Sequence, residues 1–314
     1  KALRNDGHDW VSAITADALG NIGDAGSVTA LIKALKDRHS LVRGEAAQSL
    51  GQIRDQRAFN PLMNALNDEH EYVRGYAAWS LGQLGDRRAV DRLIKTLFDK
   101  HEWARAHAAN ALSQIGDIRA VKPLIKALAD KKEFSRSDTV WALESIVGSI
   151  KDEAVLIEIA TKVREDGIRR KALWSLEGFE EIKDKKFLND SLRSEFSDVR
   201  ELGVYFLGKT KNPDTFSLLI NALSDQDSNV RERAVEVLAG IGGSQAVEPL
   251  IKSLTDKELF VRKAGVIALG EIKDPRVIPV LIEMLDDEED IREEAVGALK
   301  SIAESTKDIT SLEK

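Results

Sequence analysis

Apolar positions along this chain recur with the period of an amphipathic helix, and the helices come in pairs. In residues 68–99, Val73, Ala77, Leu81 and Leu84 fall at the i, i+4, i+8, i+11 spacing of one buried helical face. Gly85 and Asp86 break that helix, and the Asp86 carboxylate is suited to cap the next one by accepting from a free backbone N–H. The second helix carries Val90, Leu93, Ile94 and Leu97 on one side, and Asp99 opens a new unit. Two helices this short cannot bury their stripes alone, but a stack of such pairs can.

The pattern repeats through nearly the whole chain. The apolar-then-Arg step that opens each first helix is found at Val42-Arg43, Val73-Arg74, Ala104-Arg105, Ser135-Arg136, Ile168-Arg169, Val199-Arg200, Val230-Arg231, Val261-Arg262 and Ile291-Arg292; Val11-Ser12 makes a tenth. The spacings are 31 residues apart from one of 33 and a last one of 30, and a Leu follows eight residues later in every case, from Leu19 to Leu299. This regularity predicts an all-α fold, an α-solenoid of about ten helix-pair repeats. Residues 1–314 are expected to form one solenoid, with a change of stacking angle where two residues are inserted around Gly148–Glu153. Lys1-Ala2-Leu3 echoes Lys33-Ala34-Leu35 at the end of a helix, so the first repeat is expected to be truncated, and the acidic stretch 283–314 to be a solvent-facing cap.

Composition narrows the chemistry. Apolar residues make up 43% and charged residues 32%, which supplies a core and argues against disorder. With no Cys there is no disulfide, thiolate nucleophile or thiolate metal site. No apolar run reaches membrane-spanning length, and the chain is expected to be cytoplasmic. The net charge of −7 comes wholly from residues 283–314, so the rest is balanced, which argues against a nucleic-acid clamp; the nearest basic run is Arg169, Arg170 and Lys171.

The motif D-x5-R-x-x-A-A-x-x-L-G-x-I-G-D-x-x-A-V-x-x-L-I-x-A-L, best matched at residues 37–68, 68–99, 99–130 and 256–286, resembles the short HEAT repeats of phycobilisome-lyase type. The resemblance covers about residues 9–304 and implies a right-handed superhelix of the HEAT/armadillo type, with the first helices lining its concave side. That family includes bilin lyases, a di-iron hydroxylase and interaction scaffolds. The hydroxylase branch carries His-Glu pairs just after the repeat Arg; here those places read Gly44-Glu45, Gly75-Tyr76 and Ala106-His107, so no di-iron centre is implied.

With Val73 and its equivalents set at step 0, the packed positions of a first helix centre near 60° on its helical wheel and step 6 lies at about 240°, opposite the core. Step 6 is held by Trp79, Trp141, Trp174 and Tyr205 in the middle repeats, with Tyr76 and His107 flanking at step 3. First helices about 8–10 Å apart would make these residues an aromatic groove suited to a protein or peptide partner, since Trp and Tyr are enriched at binding hot spots. The alternative is that the rings pack on one another.

At step 1 stands the repeated Arg, on the packed side. Asp37, Asp68, Asp99, Asp130, Asp225, Asp256 and Asp286 each precede such an Arg by six residues, giving Arg43, Arg74, Arg105, Arg136, Arg231, Arg262 and Arg292 as partners in a structural ladder between turns. Arg231 is expected to pair with Asp225. His8, His39, His70 and His101 recur three residues before step 0, yet a repeat spacing of about 8–10 Å is too wide for one ion with bonds near 2 Å, so they read as turn residues. No phosphate loop, nucleophile elbow or His-Glu-x-x-His motif occurs. The step-9 glycines, Gly20, Gly51, Gly82, Gly208 and Gly270, mark close helix approach. The function read from these residues is a non-catalytic scaffold binding a protein partner in the aromatic groove, with no cofactor and no metal. The alternatives are a bilin lyase or chromophore-handling subunit, and a nucleic-acid groove.

Overall fold

The structure, a computed structural model, describes residues 9–129, 136–210 and 215–312. Within them the chain is helical, with nineteen α-helices, short 3-10 turns and no strand. It is an α-solenoid. The odd-numbered helices are the first helices of the repeats: α1 (Asp9–Ile22), α3 (Ser40–Ile53), α5 (Glu71–Leu84), α7 (Glu102–Ile115), α9 (Arg136–Val147), α11 (Asp166–Glu177), α13 (Ser197–Lys209), α15 (Ser228–Gly242), α17 (Leu259–Ile272) and α19 (Glu289–Leu312). Shorter second helices alternate with them, from α2 (Ala25–Ala34) to α18 (Ile278–Glu283). Among the described residues the tenth repeat is one long helix, α19, where a pair was expected. Lys1-Ala2-Leu3, His8, Asp130 and Ser135 lie outside the described residues.

Two compact units divide the chain, Lys1–Ser175 and Leu176–Lys314. In the first, α1, α3, α5, α7 and α9 pack each on the next; in the second, α13, α15, α17 and α19 do the same. The fully buried Leu50, Leu81, Leu112 and Leu143 form the spine of the first core, and Leu238 and Leu269 lie equally deep in the second.

Local chemistry sets the joints. Asp55, Asp86, Asp117 and Asp274 each accept from the backbone N–H two residues on, opening the 3-10 turn that leads into a second helix. Just before them the first helix ends in a left-handed residue. Gly85 and Gly116 take φ of 67° and 65°, the region glycine enters without strain, whereas Arg54 and Lys273 hold the same place with φ of 57°.

Along the row of first helices the step-9 glycines are the points of closest approach. A Cβ on Gly51 would stand 2.8 Å from the Ser80 Cα, and the Ser80 hydroxyl donates to the Ala47 carbonyl at 2.7 Å. The pairs Gly20–Ser49, Gly208–Val237 and Gly270–Ala298 repeat that contact in the same register. Missing side chains, not cofactors, account for these glycines.

Candidate partner-binding face

Within each unit an arginine ladder joins the first helices, whose sides opposite the core form the candidate face. Arg43 donates from Nε and Nη2 to the two Asp68 oxygens, both at 2.8 Å, while Nη1 donates to the Asp37 carbonyl at 2.9 Å. Arg74 repeats this on Asp99 and the Asp68 carbonyl, Arg200 on Asp225, Arg231 on Asp256 and Arg262 on Asp287. Asp68, Asp99, Asp225 and Asp256 also accept a backbone N–H two residues on, as Asp68 does from His70 at 3.0 Å, while Asp287 accepts the N–H of Glu288. Burial pushes the Asp68 carboxyl up, but the Arg43 and His70 hydrogen bonds outweigh it and hold the group below its ordinary value.

The register differs from the sequence expectation. The carboxylate that each Arg holds comes from the following repeat, 25 residues on; the Asp six residues before offers its backbone carbonyl. Arg231 therefore pairs with Asp256, and Asp225 belongs to Arg200. Because the last spacing is 30, the rung falls on Asp287, while Asp286 is exposed and Arg292, also exposed, donates to the Leu285 and Asp287 carbonyls. Arg105 donates to the Asp99 carbonyl, Asp130 being outside the described residues. At the insertion, Arg136 turns to the Leu128 carbonyl and to Glu165.

The aromatic residues do not form one uniform line. Tyr76 and His107 join Tyr72 and Trp103 in a packed cluster: Tyr72 meets Tyr76 edge-on at 4.7 Å between centroids, and Trp103 meets His107 edge-on at 4.4 Å. Tyr76 and His107 lie nearly parallel at 5.9 Å. Tyr72 donates its hydroxyl to Glu45 at 3.0 Å. Burial pushes His107 down, with Asp138 opposing, and its Nε2 is buried without a partner among the described residues. Tyr72 and Trp103 also cover the bare backbone of Gly44 and Gly75, where a Cβ would meet each ring at 2.4 Å.

Sequence reasoning overlooked Tyr72 and Trp103. They stand at step −1, which falls near 260° and so shares the face of step 6 at about 240°; the signal was in the wheel. Trp10, 59% exposed, holds the same step in α1.

Trp141 and Trp174 are 50% and 75% exposed, and neither makes a ring contact among the described residues. Trp79 is half-buried, not open as expected: an indole is broad enough to lean on a neighbouring helix about 8–10 Å away. Tyr205, in the second unit, is also half-buried, because Lys209 sits 4.4 Å over its ring, Arg233 lies at 5.9 Å and Phe206 packs edge-on.

His39, His70 and His101 stand at helix N-caps, where His70 accepts from the Tyr72 N–H at 3.3 Å. Among the described residues no three His, Asp or Glu side chains converge in a way that could hold a metal ion. No described helix is long and apolar enough to cross a membrane.

Residues 1–69, 59–144 and 216–300 match the family model for HEAT repeats. The chain belongs to the HEAT-repeat family. A comparison with curated proteins finds no match. Among solved structures, Kap121p is similar over 96% of this HEAT chain and 40% of its own length, at 14% identity and a TM-score of 0.58, a likeness of fold alone. Human deoxyhypusine hydroxylase aligns at 20% identity over 91% of this chain and 99% of its own, with a TM-score of 0.38. The complex of CpcE and CpcF of phycocyanin lyase from Nostoc aligns at 22% identity over 87% and 92%, with a TM-score of 0.35. Neither of these two likenesses bears on activity here.

Proposed function

We propose that this HEAT-repeat chain is a non-catalytic cytoplasmic scaffold, of the short phycobilisome-lyase-type subfamily, that binds a protein partner on the aromatic side of its first helices. The observation that carries the reading is the pair Trp141 and Trp174, large apolar rings left open to solvent on successive first helices. Exposed indoles of this kind are the residues that anchor protein interfaces. Glu144 and Lys171, paired at 3.4 Å, link α9 to α11 beside them and give the patch a polar rim. Tyr76 and His107 serve the face as part of the packed cluster, with Trp103 as its exposed edge, and Trp79 and Tyr205 extend the apolar surface of their own repeats.

The test is affinity purification from the source cells, identification of the co-purifying protein, and calorimetric titration of that purified partner against wild type and Trp174→Ala. A partner whose affinity falls with Trp174→Ala supports the reading; a partner bound equally well by Trp141→Ala, Trp174→Ala and wild type places binding elsewhere. Visible absorbance of the same preparation tests the chromophore alternative.

A further inference from the structure

In the first unit, α1 leaves open the side that α3, α5 and α7 each turn onto the helix before them. At every one of those contacts the following helix uses the same steps. Tyr72 and Trp103, at step −1, cover Gly44 and Gly75 at step 2; Ser49, Ser80 and Ala111, at step 7, lie on Gly20, Gly51 and Gly82 at step 9. The three step-7 residues are buried. Their counterparts in α1 are Trp10 at step −1 and Ala18 at step 7. With Ile14 and Ile22 these make a stripe at i, i+4, i+8 and i+12, one face of the helix. Ile14 and Ile22 are 58% and 65% exposed, Ala18 is exposed too, and Val11 is open where Val42 and Val73 are fully buried.

We infer that this side of α1 docks a helix pair of the same repeat type from a partner protein, one whose facing helix carries glycine at two positions seven residues apart. An apolar stripe of this extent on a surface helix marks an interaction site, and continuity with the neighbouring interfaces names its occupant. Gly44 and Gly51 on α3, and Gly75 and Gly82 on α5, are glycine pairs of that spacing, and each receives the step −1 ring and the small step-7 residue of the next helix. Trp10 and Ala18 present the same ring and small residue, so they fit the same bare backbone. A second copy of the chain cannot supply it in this register. The glycine pairs of α3 and α5 are already covered, and α19 has exposed Glu293 and Lys300 at steps 2 and 9. Docking there would strip a carboxylate and an ammonium of water against Trp10 and Ala18, which is unfavourable. This surface is distinct from Trp141 and Trp174, and the inference does not rest on their role.

The experiment uses the absence of cysteine from the chain. Ala18→Cys places a single thiol in the middle of the stripe, at a step where α3 and α5 carry serine. The probe is a copy of residues 40–68, the α3–α4 pair with both glycines, joined ahead of Lys1 of the full chain. A flexible glycine–serine linker of about 20 residues holds it at an effective concentration on the order of millimolar. Alkylation of the thiol by iodoacetamide in the folded protein should slow about tenfold or more relative to the chain without the probe. A probe carrying Gly44→Glu and Gly51→Lys, the residue types of α19, should give no protection. The Ile14 δ1 methyl resonance reads the same contact in the chain without the introduced thiol. Equal alkylation with and without the glycine probe, or equal protection by both probes, would overturn the inference. So would protection that grows with the concentration of the chain alone, as a dimer forms in sedimentation analysis, because the occupant would then be a second copy. A thiol already shielded in the monomer purified from the source cells would overturn it as well, because the chain would then cover the face itself.

Discussion

A Cβ placed on Gly82 would stand 2.7 Å from the Cα of Ala111 on the neighbouring first helix. The backbones of α5 and α7 therefore touch at a point where any side chain is excluded, and the same offset recurs at Gly51 and Ser80. An alanine here would ordinarily favour the helix by about 1 kcal/mol. Overpacking against backbone costs about 1–3 kcal/mol, so it should win. Gly82→Ala is expected to lower the melting temperature and Gly82→Val to lower it further, measured by circular dichroism. An increase for Gly82→Ala would show that the helices can part without cost.

The ladder predicts a second loss. Arg231 is buried and donates to both Asp256 oxygens, at 2.6 and 2.8 Å, and to the Asp225 carbonyl. Arg231→Ala leaves a half-buried carboxylate and a carbonyl without their donor, at a cost of about 1–3 kcal/mol. Arg231→Lys should recover little, because an ammonium cannot span the forked geometry. Asp256→Asn, combined with Arg231→Ala, should cost less than the two changes summed; strict additivity in denaturant titrations would mean that the rung is not a coupled pair.

A third expectation is a gain. Lys273 occupies the left-handed position that Gly85 and Gly116 fill in other repeats, with φ of 57°. A side chain in that region costs about 1–2 kcal/mol, and the Lys273 N–H still closes onto the Leu269 carbonyl at 3.3 Å. Lys273→Gly keeps that bond and removes the strain, so it should stabilise the chain by about 0.5–1 kcal/mol after the added unfolded-state entropy of glycine. Thermal melts of this single variant decide the matter.

How much of this was readable beforehand follows from which contacts the repeat encodes. Spacing placed every first helix, the close approach at the step-9 glycines and the Asp86 cap, because each follows from the residue types that recur at one place in the repeat. The partner of Arg231 was misassigned because Asp225 and Asp256 stand at equivalent places in successive repeats, and only the packing of one repeat on the next chooses between them. The grouping of Tyr72, Tyr76, Trp103 and His107 needed two helices viewed together; a single wheel shows the shared face but not that rings from one repeat lie over glycines of the previous one.

Acid should weaken the fold in two stages. The folded-state pKa of His107 is below the usual 6.5, because burial disfavours the imidazolium. As pH falls below 6.5 the unfolded chain takes up a proton that the folded chain refuses, so stability declines. That first stage should vanish in His107→Phe. Asp68, Asp99, Asp225 and Asp256 are held below 3.8, so their contribution is complete above that value and is lost as pH falls through their lower folded values. Glu201 and Glu232 act in the opposite sense, since burial raises both and acid relieves them. The loss of denaturant midpoint attributable to His107 is the difference between wild type and His107→Phe from pH 7 to pH 5: wild type should lose more, and an equal change in both would contradict the His107 assignment.

The strongest functional expectation concerns Trp174, which is 75% exposed and makes no ring contact among the described residues. Truncating it opens no cavity, so Trp174→Ala should change stability by no more than about 0.5 kcal/mol. As an interface anchor the same ring should carry about 2 kcal/mol or more of binding energy. Trp79, half-buried, should show the converse balance, with a measurable loss of stability on truncation. The tyrosine–tryptophan cluster supplies the internal control: Trp103→Ala uncovers Gly75 and removes the edge contact to His107, so it should destabilise the first unit even where binding is unaffected. Calorimetry on the partner together with thermal melts of all three variants separates anchor from scaffold. Loss of stability in Trp174→Ala with intact affinity would assign that indole to the structure and leave the aromatic face without its binding role.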